Sequence, residues 1–226
     1  MNVQHITAPS GARTRSVTAL IAALAFLIFY LLVSPIAGAI APLPLPDAPT
    51  DEVVAYFTEH GMASVVTGGL QLLSVAGLAV FLWAIRCHAA QTRARDLCLS
   101  FGWIAIAAMG LSGAIAIGLP LVVSVLSPGG VEFARQASFV AGGVVHVVAL
   151  GAAALTIGLW RSWSRPVRVT AWIAAVPALL SVTSVFWYYA SILLPAGRLL
   201  TMTAFIVAGV SILRGRSLPS QTSALG

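Results

Sequence analysis

The segment Ala63-Ser64-Val65-Val66-Thr67-Gly68-Gly69-Leu70-Gln71 starts an apolar run that continues to Ile85 and stops at Arg86. Its reading decides the fold. The run passes without an acid or a base, and at about 1.5 Å per residue it is long enough to cross the ~30 Å hydrocarbon layer of a bilayer as a helix. The same opening recurs as Ala137-Ser138-Phe139-Val140-Ala141-Gly142-Gly143, ahead of His146 and a second apolar run to Trp160. After the paired glycines each run carries one conspicuous polar residue, Gln71 in the first and His146 in the second.

Working outward, the rest of the chain is of the same kind. Of its 226 residues 59% are hydrophobic and 8% charged, with a mean hydropathy of +0.99. A soluble domain carries about 25% charged residues, so the solvent for most of this chain is lipid. The expected fold is an all-α membrane protein, a six-transmembrane-helix bundle. Its spans run over about 17–40, 62–85, 97–121, 137–160, 169–189 and 195–213, making 17–213 the transmembrane domain. Residues 1–16 and 214–226 read as polar tails. Between the first two spans, 42–61 reads as a Pro-rich connector and a short helix. That helix is capped by Thr50, carries Asp51 and Glu52 in its first turn, and lies along the outer surface with Tyr56 and Phe57 at headgroup level. Ala37-Gly38-Ala39 resembles a signal-peptide cleavage site, but the run before it exceeds the 7–15 residues of a signal core, which favours an uncleaved span.

The formal charge of +6 arises from twelve arginines, no lysine and six acids. These arginines stand in ones to threes between apolar runs, a membrane pattern and not a nucleic-acid surface. Ten of the twelve fall in the tails and in the loops around 86–95 and 161–168; only Arg135 and Arg198 fall on the other side, with five of the six acids. By the positive-inside rule both termini are cytoplasmic. Arg without Lys beside abundant Ala is the composition of a high-GC bacterial genome, so the expected location is a bacterial plasma membrane. Cys87 and Cys98 bracket a cytoplasmic loop, where thiols stay reduced. Trp83, Trp103, Trp160, Trp163 and Trp172 are placed at the inner interface and Trp187, Tyr188 and Tyr189 at the outer one.

The repeat extends further. Gly102 to Ser112 aligns with Ala171 to Ser181 at an offset of 69, against 74 for the first match. Two matches in one order suggest a duplicated helical hairpin, spans 2–3 and 4–5, although Ala, Val, Gly and Leu pair often in apolar sequence. Ser64, Gly68 and Gln71 share one helix face, as do Ser138, Gly142 and His146. Small residues let backbones approach and polar ones bond across the seam, so both faces should meet protein.

His146 is the sole ionisable side chain near mid-span, where such residues are functional candidates. The alternative is a neutral His bonded to Gln71 or to a backbone carbonyl, serving helix association only. Arg198 lies near the outer edge of the last span, either snorkelling to headgroups or joining His146, Gln71 and Tyr188 in a cavity open to the outside. Such a cavity would take an anionic or amphipathic small molecule, or a lipid headgroup. A structural subunit, packed on another membrane protein or on its own copies, is the alternative function. No cofactor or metal motif is present: one intramembrane His cannot supply a paired haem ligation, no span contains an acid of the kind proton pumps use, and Glu59 with His60 matches no ligand spacing.

Two resemblances add to this. Gly110-Leu111-Ser112-Gly113 resembles the Gly-x-Ser-Gly motif of the six-helix rhomboid proteases, which would make Ser112 a nucleophile and His146 its base, an intramembrane serine hydrolase. Here the histidine follows one span after the serine instead of two, and the family's upstream His and Asn are absent. In layout, Thr50-Asp51-Glu52-Val53-Val54-Ala55-Tyr56-Phe57 and Arg165-Pro166-Val167-Arg168-Val169-Thr170-Ala171-Trp172 resemble an uncharacterised six-span bacterial family, a domain of unknown function. That resemblance implies a fold but no activity and no site residues.

Overall fold

The computed structural model describes residues 10–44 and 48–215, with the backbone alone for 10–16. Most of both expected tails, together with Asp47 and Arg216, lies outside the described residues. Eight α-helices follow in order: α1 Ser10–Ile40, α2 Thr50–Glu59, α3 Gly61–His88, α4 Arg93–Val122, α5 Pro128–Phe139, α6 His146–Leu159, α7 Arg165–Leu180 and α8 Leu193–Leu213. A π-helical segment, Val140–Val145, joins α5 to α6 without a break. Short 3-10 turns, Val123–Val125, Ser181–Val185 and Tyr188–Ile192, extend α4, follow α7 and precede α8. No strand occurs among the described residues. Six of these helical stretches are long and apolar enough to cross a membrane.

The six spans close into a ring. Each packs on the next in the order α1, α3, α4, α6, α7, α8, and α8 returns to α1. Helix α1 shows why composition alone cannot separate inside from outside here. Ala19, Ala22, Ala23 and Phe26 are buried, while Val17, Ile21, Leu24, Ile28 and Leu31 are exposed on the other face. Both stripes are apolar; the buried one is the smaller, as expected where helices must approach closely in lipid. Gly77 shows the need, because a Cβ there would stand 2.8 Å from the Phe26 backbone nitrogen. Phe26, Phe81 and Phe205 then fill the centre, with Phe205 stacked 5.1 Å from Phe81 and 6.4 Å from Phe26.

Several boundaries differ from the sequence reading. Helix α1 begins at Ser10, inside the expected tail. Span four begins at Pro128 instead of 137, because Ser127 caps α5 by accepting from the Gly130 amide, so the residues around Glu132 belong to that span. Span five loses α geometry after Leu180, three residues past Pro177, which has no N–H to give the helix. The helix expected on the membrane surface is packed on protein. Val53, Tyr56 and Phe57 of α2 are buried against Leu119, Val123 and Val131, and Pro49, not Thr50, precedes the first turn, with no side-chain cap. Trp160 and Trp163, next to Arg161 at the arginine-rich end, are buried and meet edge to face at 5.8 Å.

The cysteines give a direct check of topology. Cys87 is exposed beside Arg86, whereas Cys98 is buried in the α4 seam, and neither is in a disulfide. A membrane-impermeant maleimide should leave the protein unlabelled in intact cells. After permeabilisation it should label Cys87 alone, so that Cys87→Ala abolishes the signal. Labelling of intact cells would invert the topology.

Candidate functional site

The site is built where the twice-used stretch meets α4. From α3, the Ser64 hydroxyl donates to the Ala116 carbonyl at 2.7 Å, and a Cβ on Gly68 would stand 2.5 Å from the Gly113 carbonyl oxygen. From the other side, Ser138 of α5 donates to the Ser112 carbonyl at 3.3 Å, and its Oγ lies 2.9 Å from the Ser112 Oγ. Gly142 rests on the same Ser112 side chain. Both copies of Ala-Ser-x-x-x-Gly-Gly thus grip one helix from opposite flanks. The faces expected to meet protein do so, and their shared partner is α4.

Beside this grip the helices part around a cavity of about 390 Å³, which Ser64, Ser112, Ser138 and Gly142 help to line and which extends to Leu43 and Phe57 at the arginine-poor end. Ile115 and Leu119 of α4, Phe139, Phe57 of α2, and Leu43 of the connector make its walls apolar. Ser64, Thr67, Gln71, Ser138 and Arg198 provide the polar lining, and Arg135 and Gln136 stand at the α5 side. Arg135 is held by Glu132 through two bonds, 2.9 Å from Nε and 2.7 Å from Nη2.

Arg198 decides the character of the floor. It lies in the second turn of α8 and turns inward, not out to the headgroups, so the snorkelling expectation is corrected. Its Nη2 donates to the Gly142 carbonyl, and its guanidinium carbon lies 4.9 Å from the centre of the Tyr30 ring. The acceptor belongs to the π segment, whose widened turn is a feature concentrated at functional sites. Arg198 Nε is sealed from solvent without a hydrogen-bond partner.

His146 is not part of the cavity wall. It is fully buried beneath it, its Nδ1 bonded to the Ala105 carbonyl at 2.8 Å and its ring edge-to-face with Phe26 at 6.3 Å. Of the alternatives open in the sequence, the backbone-carbonyl bond is the one formed. Gln71 and His146 do share a level, since both border a void of about 10 Å³ with Tyr30, Ser74 and Arg198. That is about the volume of one water-sized sphere. Gln71 Oε1, His146 Nε2 and Arg198 Nε are all buried and without protein partners around it.

The structure therefore brings Gln71 and Arg198 to the cavity and sets His146 behind them. Tyr188 opens the 3-10 turn before α8, and its side chain lies outside the described residues. The aromatic partner of Arg198 is Tyr30, which the sequence reading missed; its signal was a lone phenol two-thirds of the way along an otherwise apolar span. No family model, curated protein or solved structure matches the chain.

Ser112 and His146 do not form a catalytic pair. Ser112 is engaged with Ser138, while His146 bonds at Ala105, seven residues or about 10 Å further along α4. A fluorophosphonate probe should leave the purified protein unlabelled, and Ser112→Ala should lower stability by about 1 kcal/mol, the scale of one interhelical hydrogen bond. Stoichiometric labelling lost in that variant would restore the hydrolase reading. Glu59 and His60 are exposed, and no three His, Cys, Asp or Glu side chains cluster among the described residues.

Proposed function

We propose that this chain is a multi-pass protein of a bacterial plasma membrane that takes a small amphipathic or anionic molecule, or a lipid, into the cavity at its outer end. The carrying observation is the cavity itself: about 390 Å³, apolar on its walls and polar at its floor. Ligand sites of 300–1,000 Å³ with a few placed polar groups have this make-up. The arginines of the segments 86–95 and 161–168, at the opposite end, support an opening towards the outside. Below the floor, Phe26, Leu78, Phe81, Leu82 and Phe205 are fully buried in one packed core. That packing favours capture from one side over passage through the bundle.

The test is retention. Gly143 lines the cavity, and a Cβ there would meet its nearest neighbour, the Phe139 ring, at an ordinary 3.5 Å. Gly143→Leu should plug the cavity without breaking a seam. Solvent extracts of purified protein, read by mass spectrometry, should show one class of amphiphile near one per chain, and the plugged variant should lose it. Equal recovery from both proteins would sink the reading and leave a structural subunit, packed on a partner or on its own copies, as the better account.

A further inference from the structure

Resting on that cavity reading, we infer that the occupant is a single-chain amphiphile with one anionic headgroup, a carboxylate or a phosphate ester, docked on Arg198. The charges around the cavity leave one cation unmatched. Arg135 is neutralised by its two-bond pairing with Glu132. The other ion pair among the described residues, Arg95 with Asp96, belongs to the α4 start at the far end. No described carboxylate pairs with Arg198, whose contacts are the Gly142 carbonyl and Tyr30, through both its ring and its hydroxyl. A guanidinium held away from water is stable when its charge is matched, and Arg is the side chain suited to carboxylate and phosphate.

The hydrogen-bond donors point to the same place. The hydroxyl protons of Ser64, Thr67 and Ser138 go to the carbonyls of Ala116, Ala63 and Ser112. Ser112 completes the set, its hydroxyl facing that of Ser138. Those hydroxyls are therefore spent within the protein, and among the lining side chains Arg198 brings the positive charge that no described carboxylate matches. A headgroup has its place at the floor, and the apolar walls receive a chain. A cavity of about 390 Å³ is at the small end of the 300–1,000 Å³ range of ligand sites, room for a headgroup with a medium chain.

Full-length protein, freed of lipid in a neutral detergent at pH 8, is titrated by calorimetry with decanoate, decyl phosphate and decanol. Both anions should bind at least tenfold more tightly than decanol, the scale of one charge-assisted hydrogen bond, and the stronger of the two identifies the headgroup. Arg198→Gln should erase that preference, while Arg198→Lys, which keeps the charge, should retain it. Decanol binding as tightly as the anions, or an anion preference that survives in Arg198→Gln, would overturn the headgroup assignment and leave the cavity reading intact. Failure of all three probes to bind would overturn the cavity reading itself.

Discussion

Gly68→Leu should lower the melting temperature in detergent by about 5–10 °C, while Gly69→Leu, one residue on, should scarcely move it. A side chain at Gly68 enters the closest part of the α3–α4 seam, 2.5 Å from the Gly113 carbonyl oxygen and 2.7 Å from Ile117. The first neighbour is backbone and cannot rotate away. Overfilling a packed seam costs about 1–3 kcal/mol and sometimes more, and each kcal/mol is worth roughly 2–4 °C in a domain of this size. At Gly69 no atom lies within 4 Å of the added Cβ, so the change should stay within about 0.5 kcal/mol. Equal losses at the two positions would show that the paired glycines act through helix propensity and not through the seam.

Val53→Asp should release α2 from the bundle and empty the cavity. Val53 is fully buried with Tyr56 and Phe57 against Leu119, Val123 and Val131. Three buried apolar side chains contribute roughly 5–9 kcal/mol of burial at most, and ordering the helix consumes much of that. An unpaired carboxylate in the same place costs several kcal/mol, and undocking returns it to water. Limited proteolysis should then cut between residues 48 and 60 while the spans keep their melting temperature within a few degrees. Ligand retention should fall, because Phe57 is part of the wall. A variant that resists protease like the parent would mean that α2 is held by lipid and not by this packing. Alkaline pH should act more gradually in the same direction. Burial raises the Tyr56 phenol above its ordinary value, so docking is complete below about pH 10 and weakens as pH rises past it.

The relation between His146 and Arg198 shows how far a sequence of this kind can be read. An ionisable side chain at mid-span draws attention first, because lipid offers a charge no stabilisation. Nothing in the run from Ala137 to Trp160 tells whether the imidazole faces a cavity or a neighbouring carbonyl. That choice depends on which residue of α4 crosses it, and Ala105, with its small side chain, lets its carbonyl be reached. Arg198 carries the opposite lesson. Near a span's end it could equally reach the headgroups, and its inward turn rests on two groups distant in sequence, the Gly142 carbonyl and the Tyr30 ring. The π turn that presents that carbonyl has no signature in Val140–Val145 beyond its glycines.

What the chain determines by itself is its solvent and its layout. Too few charges for a water-soluble surface, six apolar runs of bilayer length, and arginines gathered at one end follow from composition and period, because the bilayer tests each segment separately. What tertiary structure alone decided is the meaning of the repeated Ala-Ser-x-x-x-Gly-Gly stretch. Both faces of such a helix are apolar, so hydrophobicity cannot say which meets lipid; the close approach of glycines from two helices to one side of Ser112 and the other of Gly113 on α4 does. The cavity lies along that grip, lined by its Ser64, Ser112, Ser138 and Gly142 together with larger apolar side chains and Arg198.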